Sequence, residues 1–272
     1  MDWETAWREE AENHPRKLTE ENRERWTAFW NQVSPSYLQD IVRREDYYRE
    51  MVDFLVRESF LQGGDRVLDV GCGPGTFALP LAEHAGEVVA LDSARGMLDR
   101  LMEEASRRSL ENITPLHRDW DSPLEGEFDL VISSLSPAIR APEDLFRMES
   151  LSSRACVLIT RAGKGRVSQF DRDMWEEVLG GFRQSGAFEV RYPFNVLYDR
   201  GKHPNLRLYP FEFQRESTVE RAWEEQLHYC SIFTEMDGGK REALRRVIDR
   251  HQEDGVLRRI SSGALGMLYW RV

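Results

Sequence analysis

Residues 67–82 read VLDVGCGPGTFALPLA: a run of strand formers, then three glycines and a proline, then an apolar helical run. This stretch constrains the fold more than any other. Gly71, Gly73 and Gly75 admit backbone angles and close approaches that a β-carbon forbids. The loop therefore either makes a tight strand-to-helix turn or presents bare main chain to a ligand. Thr76 is expected to cap the helix that follows. Seventeen residues beyond Gly75, the next strand, EVVALD, ends in Asp92. A carboxylate there can accept hydrogen bonds from both hydroxyls of a ribose; it can equally cap the helix beginning in DSARGML.

The surroundings of the loop extend the pattern. From Arg66 to Thr160, short apolar strands (RVLDVG, EVVALD, ITPLHRD, FDLVISSL, ACVLIT) alternate with amphipathic helical segments. That alternation predicts an α/β fold whose mostly parallel sheet is covered on both faces. Ligands of such sheets bind beyond the carboxyl ends of the strands, where strand order reverses. The first sixty residues read as helical, with Trp3 and Trp7, and Trp26 and Trp30, one turn apart on charged helices. Ser34 and Pro35 are expected to start a new helix as N-cap and first position, which QGGD at 62–65 ends. Beyond Thr160 a helix through DMWEEVLGGFRQSG and an extended stretch AFEVRYPFNVLYDRG are expected. GALGMLYWRV forms the last strand, preceded by an insertion over about 202–262 that serves as a lid or subdomain. The expected organisation is an N-terminal helical cap, 1–60, and one domain, 61–272.

Composition narrows the function classes. A formal net charge of −11 repels phosphate backbones, and the short basic runs are interleaved with acids, so no nucleic-acid partner is expected. Three scattered cysteines suit a reducing compartment, and no His or Cys spacing suggests a metal. No segment is apolar enough to span a bilayer and the N-terminus lacks a signal core, so a cytoplasmic protein with no membrane partner, monomeric or homodimeric, is expected.

The motifs in order resemble those of class I S-adenosylmethionine-dependent methyltransferases, particularly their small-molecule, ubiquinone-biosynthesis-like branch. VLDVGCGPG is similar to that family's first motif, ALDSARGMLDRL to its second, and HRDW and FDLVISSLS stand where its third and fourth fall. The resemblance covers about residues 60–160. It implies a Rossmann-like, doubly wound, seven-stranded sheet and S-adenosyl-L-methionine as cofactor. Asp69 and the Gly71 backbone would hold the methionyl ammonium, Gly73 and Gly75 would line the nucleoside with Cys72, and Asp92 with Ser93 would bind the ribose. Asp119 would take the adenine amino group between Met97 and Trp120, and Ser133 to Ser136 would face the sulfonium and the acceptor. The implied activity is transfer of a methyl group to a small-molecule acceptor by direct in-line displacement.

Two other readings of the residues stay open. A nicotinamide or flavin oxidoreductase shares the strand, loop and acid, but its fingerprint is G-x-G-x-x-G, and Thr76 stands where the third glycine belongs. A non-catalytic cofactor- or partner-binding protein would suit the N-terminal tryptophans if they form an exposed patch. On the acceptor side, Tyr37, Tyr47, Tyr48, Tyr192, Asn195, Tyr198 and His203 are candidates, with Tyr48 and Asn195 carried as the catalytic pair. SSLSPA lacks the Asn/Asp-Pro-Pro-aromatic signature of nucleobase amino methylators and the acidic pair of magnesium-assisted catechol methylation, so no metal is expected.

Overall fold

The computed structural model describes residues 1–14, 17–163, 165–181 and 189–272. The chain opens with three helices: α1 (Trp3–Glu12), α2 (Glu20–Val42) and α3 (Glu45–Arg57). Alternation then follows through β1 (Arg66–Val70), α4 (Ala78–Ala82), β2 (Glu87–Asp92), α5 (Arg95–Arg107), β3 (Ile113–His117), β4 (Phe128–Ser134), α6 (Pro142–Leu151) and β5 (Ser152–Arg161). The remainder comprises α7 (Gln169–Val178), α8 (Arg191–Asp199), β6 (Asn205–Thr218), α9 (Val219–Ser231), α10 (Gly238–His251), the two-residue β7 (Gln252–Glu253) and β8 (Val256–Arg271).

The sheet runs β3-β2-β1-β4-β5-β8-β6, with β7 on the end of β8. Strands β1 to β5 pair in parallel, and β8 joins antiparallel to both β5 and β6. This is the expected doubly wound sheet, and order reverses between β1 and β4. Successive residues of one strand enter opposite cores: Val67 packs with Met51, Leu55, Leu81 and Val157, whereas Leu68 and Val70 pack with Val131, Leu158, Leu268 and Trp270. All eight of these partners are buried, which is why the strands read as continuous apolar runs rather than alternating ones.

Three expectations for the helices are corrected. Pro35 does not open a helix; it lies inside α2. The carbonyl it cannot serve, that of Asn31, accepts instead from the Ser34 hydroxyl at 2.9 Å, so the helix continues. The stretch around YPFNVLYD is not extended but forms α8, where Tyr192, Pro193, Val196 and Leu197 are buried on one face. Pro193 sits in the first turn, where a missing N–H leaves no bond unmade. Residues 182–188, which hold the start of that stretch and the end of the helix expected through GFRQSG, lie outside the described residues. Thr76 does not cap α4, whose N-cap is Phe77 without a side-chain bond.

The segment expected as an insertion is built on the sheet. β6 pairs with β8 along its whole length, Asn205 opposite Tyr269 through Thr218 opposite Val256. Helices α9 and α10 lie between them and pack with α7 around Phe170, Met174, Cys230, Leu244 and Val247. The N-terminal tryptophans join these layers. Trp7 is buried against the α6 and α8 side of the sheet. Trp26 meets Tyr229 of α9 and Phe233 in the turn after it edge to face, at 6.3 and 5.6 Å. They do not form an exposed patch.

Candidate functional site

The carboxyl ends of β1, β2 and β4 open into a cleft of about 890 Å³, roofed by α2. Gly71, Gly73 and Gly75 all take positive φ, +69°, +56° and +99°, the left-handed region where a β-carbon is strained. Their neighbours separate their roles. A β-carbon on Gly71 would overlap the Ser136 hydroxyl, so β1 and the loop after β4 approach only because it is absent. A β-carbon on Gly73 would meet nothing nearer than Tyr37 at 3.9 Å, across the cleft. On Gly75 it would lie 2.6 Å from Leu101 and 2.8 Å from Leu79. Gly75 therefore serves helix packing and does not line the cleft, contrary to the nucleoside role expected of it.

Two carboxylates stand at the strand tips. Asp69 is 1% exposed, and its Oδ2 is a buried oxygen with no hydrogen-bond partner among the described residues. Burial, then the nearby Asp92 charge, pushes its pKa up to about 7. An unpartnered buried carboxylate costs free energy until a cation or donor reaches it. Asp92 is different: its two oxygens accept from the backbone N–H of Gly73 at 2.9 Å and of Ala94 at 2.8 Å. It thus holds the glycine loop against β2 and also starts the turn into α5, which is the capping alternative considered for it. Each oxygen keeps a lone pair for a further donor. Burial raises its pKa, opposed by those two bonds.

Asp69, Gly71, Cys72, Gly73, Asp92, Ser93, Met97, Asp119 and Trp120 all line the cleft. Met97 packs under α2 with Val33, Phe29, Trp30 and Tyr37. Trp120 is fixed by its indole N–H, which donates to Asp144 at 3.0 Å, and by the Arg147 guanidinium 4.4 Å from its ring centre. Ser133 is corrected: it is fully buried, its hydroxyl donates to the Val70 carbonyl at 2.9 Å, and Ser134, Leu135 and Ser136 line the cleft in its place. Leu135 takes φ +48° and is 47% exposed, an apolar side chain held at the mouth.

Leu18, Arg23 and Trp30, which sequence reasoning missed, reach the cleft from the segment before α2 and from α2 itself. Arg23 pairs with Asp119 at 3.6 Å and with Asp121 at 2.9 Å, and Asn31 accepts from the Gly96 N–H at 2.7 Å. The α2 roof is thus fastened at two points, to the loop after β3 and to the first turn of α5. No local pattern marks Arg23, whose partners lie about a hundred residues away.

The two catalytic candidates are not together. Tyr48 lines a second cavity of about 1080 Å³, which adjoins the first at Tyr37 and Leu135. Burial raises the Tyr48 phenol pKa, so it is suited to donating a hydrogen bond rather than to acting as a base. Asn195 lines neither cavity; its amide donates to the Arg191 carbonyl within α8 at 2.6 Å, and its expected catalytic role is corrected.

A glycine loop, a buried carboxylate near the end of β1 and a second at the tip of β2, at the switch point of a doubly wound sheet, make up the kind of site at which α/β proteins bind nucleosides. Among comparisons with known proteins, residues 67–151 match the family described as a methyltransferase domain. An uncharacterized protein of Haemophilus influenzae is 26% identical over 249 residues, covering 89% of this chain and 88% of its own. The 23S rRNA (uracil(1939)-C(5))-methyltransferase RlmD of Pseudomonas putida is 43% identical over 65 residues, 24% of this chain and only 14% of that protein. Among solved structures, magnesium protoporphyrin IX methyltransferase (ChlM) of Synechocystis PCC 6803 with bound SAH superposes with a TM-score of 0.50 at 18% identity, covering 86% of this chain and 85% of that one.

The residues present fit S-adenosylmethionine. Asp69 Oδ2 lacks the partner that an ammonium supplies, and the Gly73 edge of the loop leaves room for a ligand against main chain. Asp92 retains acceptor capacity for a diol.

Proposed function

We propose that the chain transfers a methyl group from S-adenosylmethionine to a small-molecule acceptor, in the reducing interior of the cell. When bound, the cofactor supplies a methyl group already activated on a sulfonium. The protein's part is to bind, align and exclude water, and holding two reactants in near-attack geometry can supply roughly 7 to 11 kcal/mol of a barrier. Asp69 holds the ammonium end, Asp92 the ribose hydroxyls and Asp119 the adenine edge beside Trp120. Trp30 and Tyr37 close the cleft from α2, and their ring faces favour a neighbouring positive charge. The acceptor enters through the second cavity, whose boundary with the first is Tyr37 and Leu135.

One observation carries this reading: the buried Asp69 Oδ2, without a partner among the described residues, belongs to a carboxylate lining a cleft whose floor is bare main chain. A small acceptor is favoured over RNA because the molecule's net charge of −11 repels a phosphate backbone. The RlmD likeness spans too little of either chain to bear on acceptors. Incubation with radiolabelled S-adenosylmethionine and a desalted metabolite extract or total RNA tests it. Label entering a small product supports the proposal; label only in RNA, or none above a boiled control, contradicts it.

A further inference from the structure

We infer that the second cavity binds an organic oxyanion, so that the acceptor is a molecule carrying a carboxylate or phosphate on an apolar or planar body. The inference rests on the proposed methyl transfer and adds the substrate's chemistry. Five guanidinium groups line this cavity, those of Arg44, Arg161, Arg166, Arg215 and Arg259, against the carboxylates of Asp40 and Asp171. In a chain whose net charge is −11, such a concentration of arginine runs against the average surface. A cleft lined predominantly by one sign of charge focuses potential on ligands of the other.

Arg215 is already engaged, with Asp40 at 3.0 Å and Glu225 at 2.9 Å, and Arg259 reaches Asp171 only at 3.4 Å. Neither Arg44 nor Arg166 has a carboxylate partner among the described residues. Arg44 instead lies over the Phe213 ring, 4.1 Å from its centre. The arginines also crowd one another: the Arg215 pKa is lowered by burial first and then by the Arg259 charge. Guanidinium groups gathered in one cavity in excess of the carboxylates lining it cost free energy, and a bidentate oxyanion relieves that cost.

Apolar walls complete the site. Phe211 and Phe213 stack at 4.8 Å with an interplanar angle of 24° and line the cavity beside Tyr48. Leu135 and Tyr37 lie on the side shared with the cofactor cleft. An acceptor with its oxyanion at the arginines and its body along the phenylalanines would present its far end to that boundary. The arginines come from α3's N-terminus, the end of β5, the loop after it, β6 and β8, so pairing of β5, β6 and β8 assembles the cluster.

The test uses the full chain saturated with S-adenosylhomocysteine, and two fluorescent dyes: anilinonaphthalene sulfonate, which is anionic, and the uncharged phenylnaphthylamine. The sulfonate should bind the more tightly. An Arg44→Gln/Arg166→Gln double variant should raise its Kd about tenfold or more, as loss of charge-assisted bonds implies. An Arg44→Lys/Arg166→Lys variant should retain most of the affinity, with melting temperature confirming that both fold. Displacement of the sulfonate by benzoate or by phenyl phosphate supports the inference and tells the two headgroups apart. Equal binding of both dyes, or a sulfonate Kd unchanged in the glutamine variant, overturns it, as does displacement by a short single-stranded RNA but by neither small anion. If S-adenosylhomocysteine binds and the charge dependence is absent, only this inference fails; if S-adenosylhomocysteine does not bind, the cofactor reading falls with it.

Discussion

Asp69 and Asp92 are both buried carboxylates at strand tips, yet their environments assign them different work. Asp92 has two backbone donors, so Asp92→Ala removes a loop fastening as well as a ligand contact. The expected result is a lower melting temperature together with a loss of about 1.5 to 3 kcal/mol in S-adenosylhomocysteine affinity, the scale of hydrogen bonds to a charged group. Calorimetry on a folded variant checks it, and an unchanged Kd removes Asp92 from the ribose site. Asp69 has a backbone bond from Ala78 but an Oδ2 with no partner among the described residues, and its pKa of about 7 lies above the unfolded value of 3.8. Between those values the folded chain binds more protons than the unfolded one, so this group's contribution to stability falls as pH rises from about 4 to 7. Ligand affinity moves the other way: the ammonium needs the ionised carboxylate, so binding should weaken by up to about tenfold per pH unit below 7. A Kd for S-adenosylhomocysteine that is flat from pH 8 to 5.5 contradicts that assignment. These residues were legible in the sequence because strand, loop and strand tip fix them within a short span. The same pattern misled at Gly75 and Ser133. Letter spacing alone does not tell a glycine facing a ligand from one facing Leu79 and Leu101, nor which of four successive residues at a strand end turns inward.

Helix α2 is the element whose role the sequence concealed. Its aromatic spacing showed that a helix would form, but not that it would roof the cleft, because Arg23 and Asn31 find their partners at Asp119, Asp121 and Gly96 only after the sheet has assembled. The Arg23 pairs are partly exposed, with side chains about a third to a half accessible, so each contributes on the order of 0.2 to 1 kcal/mol. Such a fastening can open. Hydrogen exchange should therefore be faster in α2 than in β1 or β4, and S-adenosylhomocysteine should slow it across residues 20–42. Identical exchange with and without ligand contradicts a closing role. Pro35 taught the same lesson in miniature, since the rule placing proline at a helix start assumes an unserved carbonyl, and the Ser34 hydroxyl serves it here. Likewise α8 was read as extended because its aromatic and β-branched residues favour strands. One buried face and a proline in the first turn decided for helix.

At the scale of the molecule, the parallel half of the sheet was readable because each strand is local and each connection is a helix. The antiparallel edge was less so. β6 and β8 are separated by two helices, and their pairing brings arginines from distant parts of the chain to one cavity, which no window along the sequence displays. The resulting molecule sets two spaces side by side, one floored by main chain and carboxylates, the other walled by guanidinium groups and aromatic rings. That division suits a cationic donor and an anionic acceptor meeting between Tyr37 and Leu135. The first space carries the account, and its premise is that a buried carboxylate waits for an ammonium. Titration of S-adenosylhomocysteine into wild type and Asp69→Asn at pH 8, followed by calorimetry, tests this most directly. Saturable binding in the wild type and a weakening of about tenfold or more in the variant, with no loss of melting temperature, is the predicted result. Equal affinity in the two proteins, or no binding to the wild type, contradicts it.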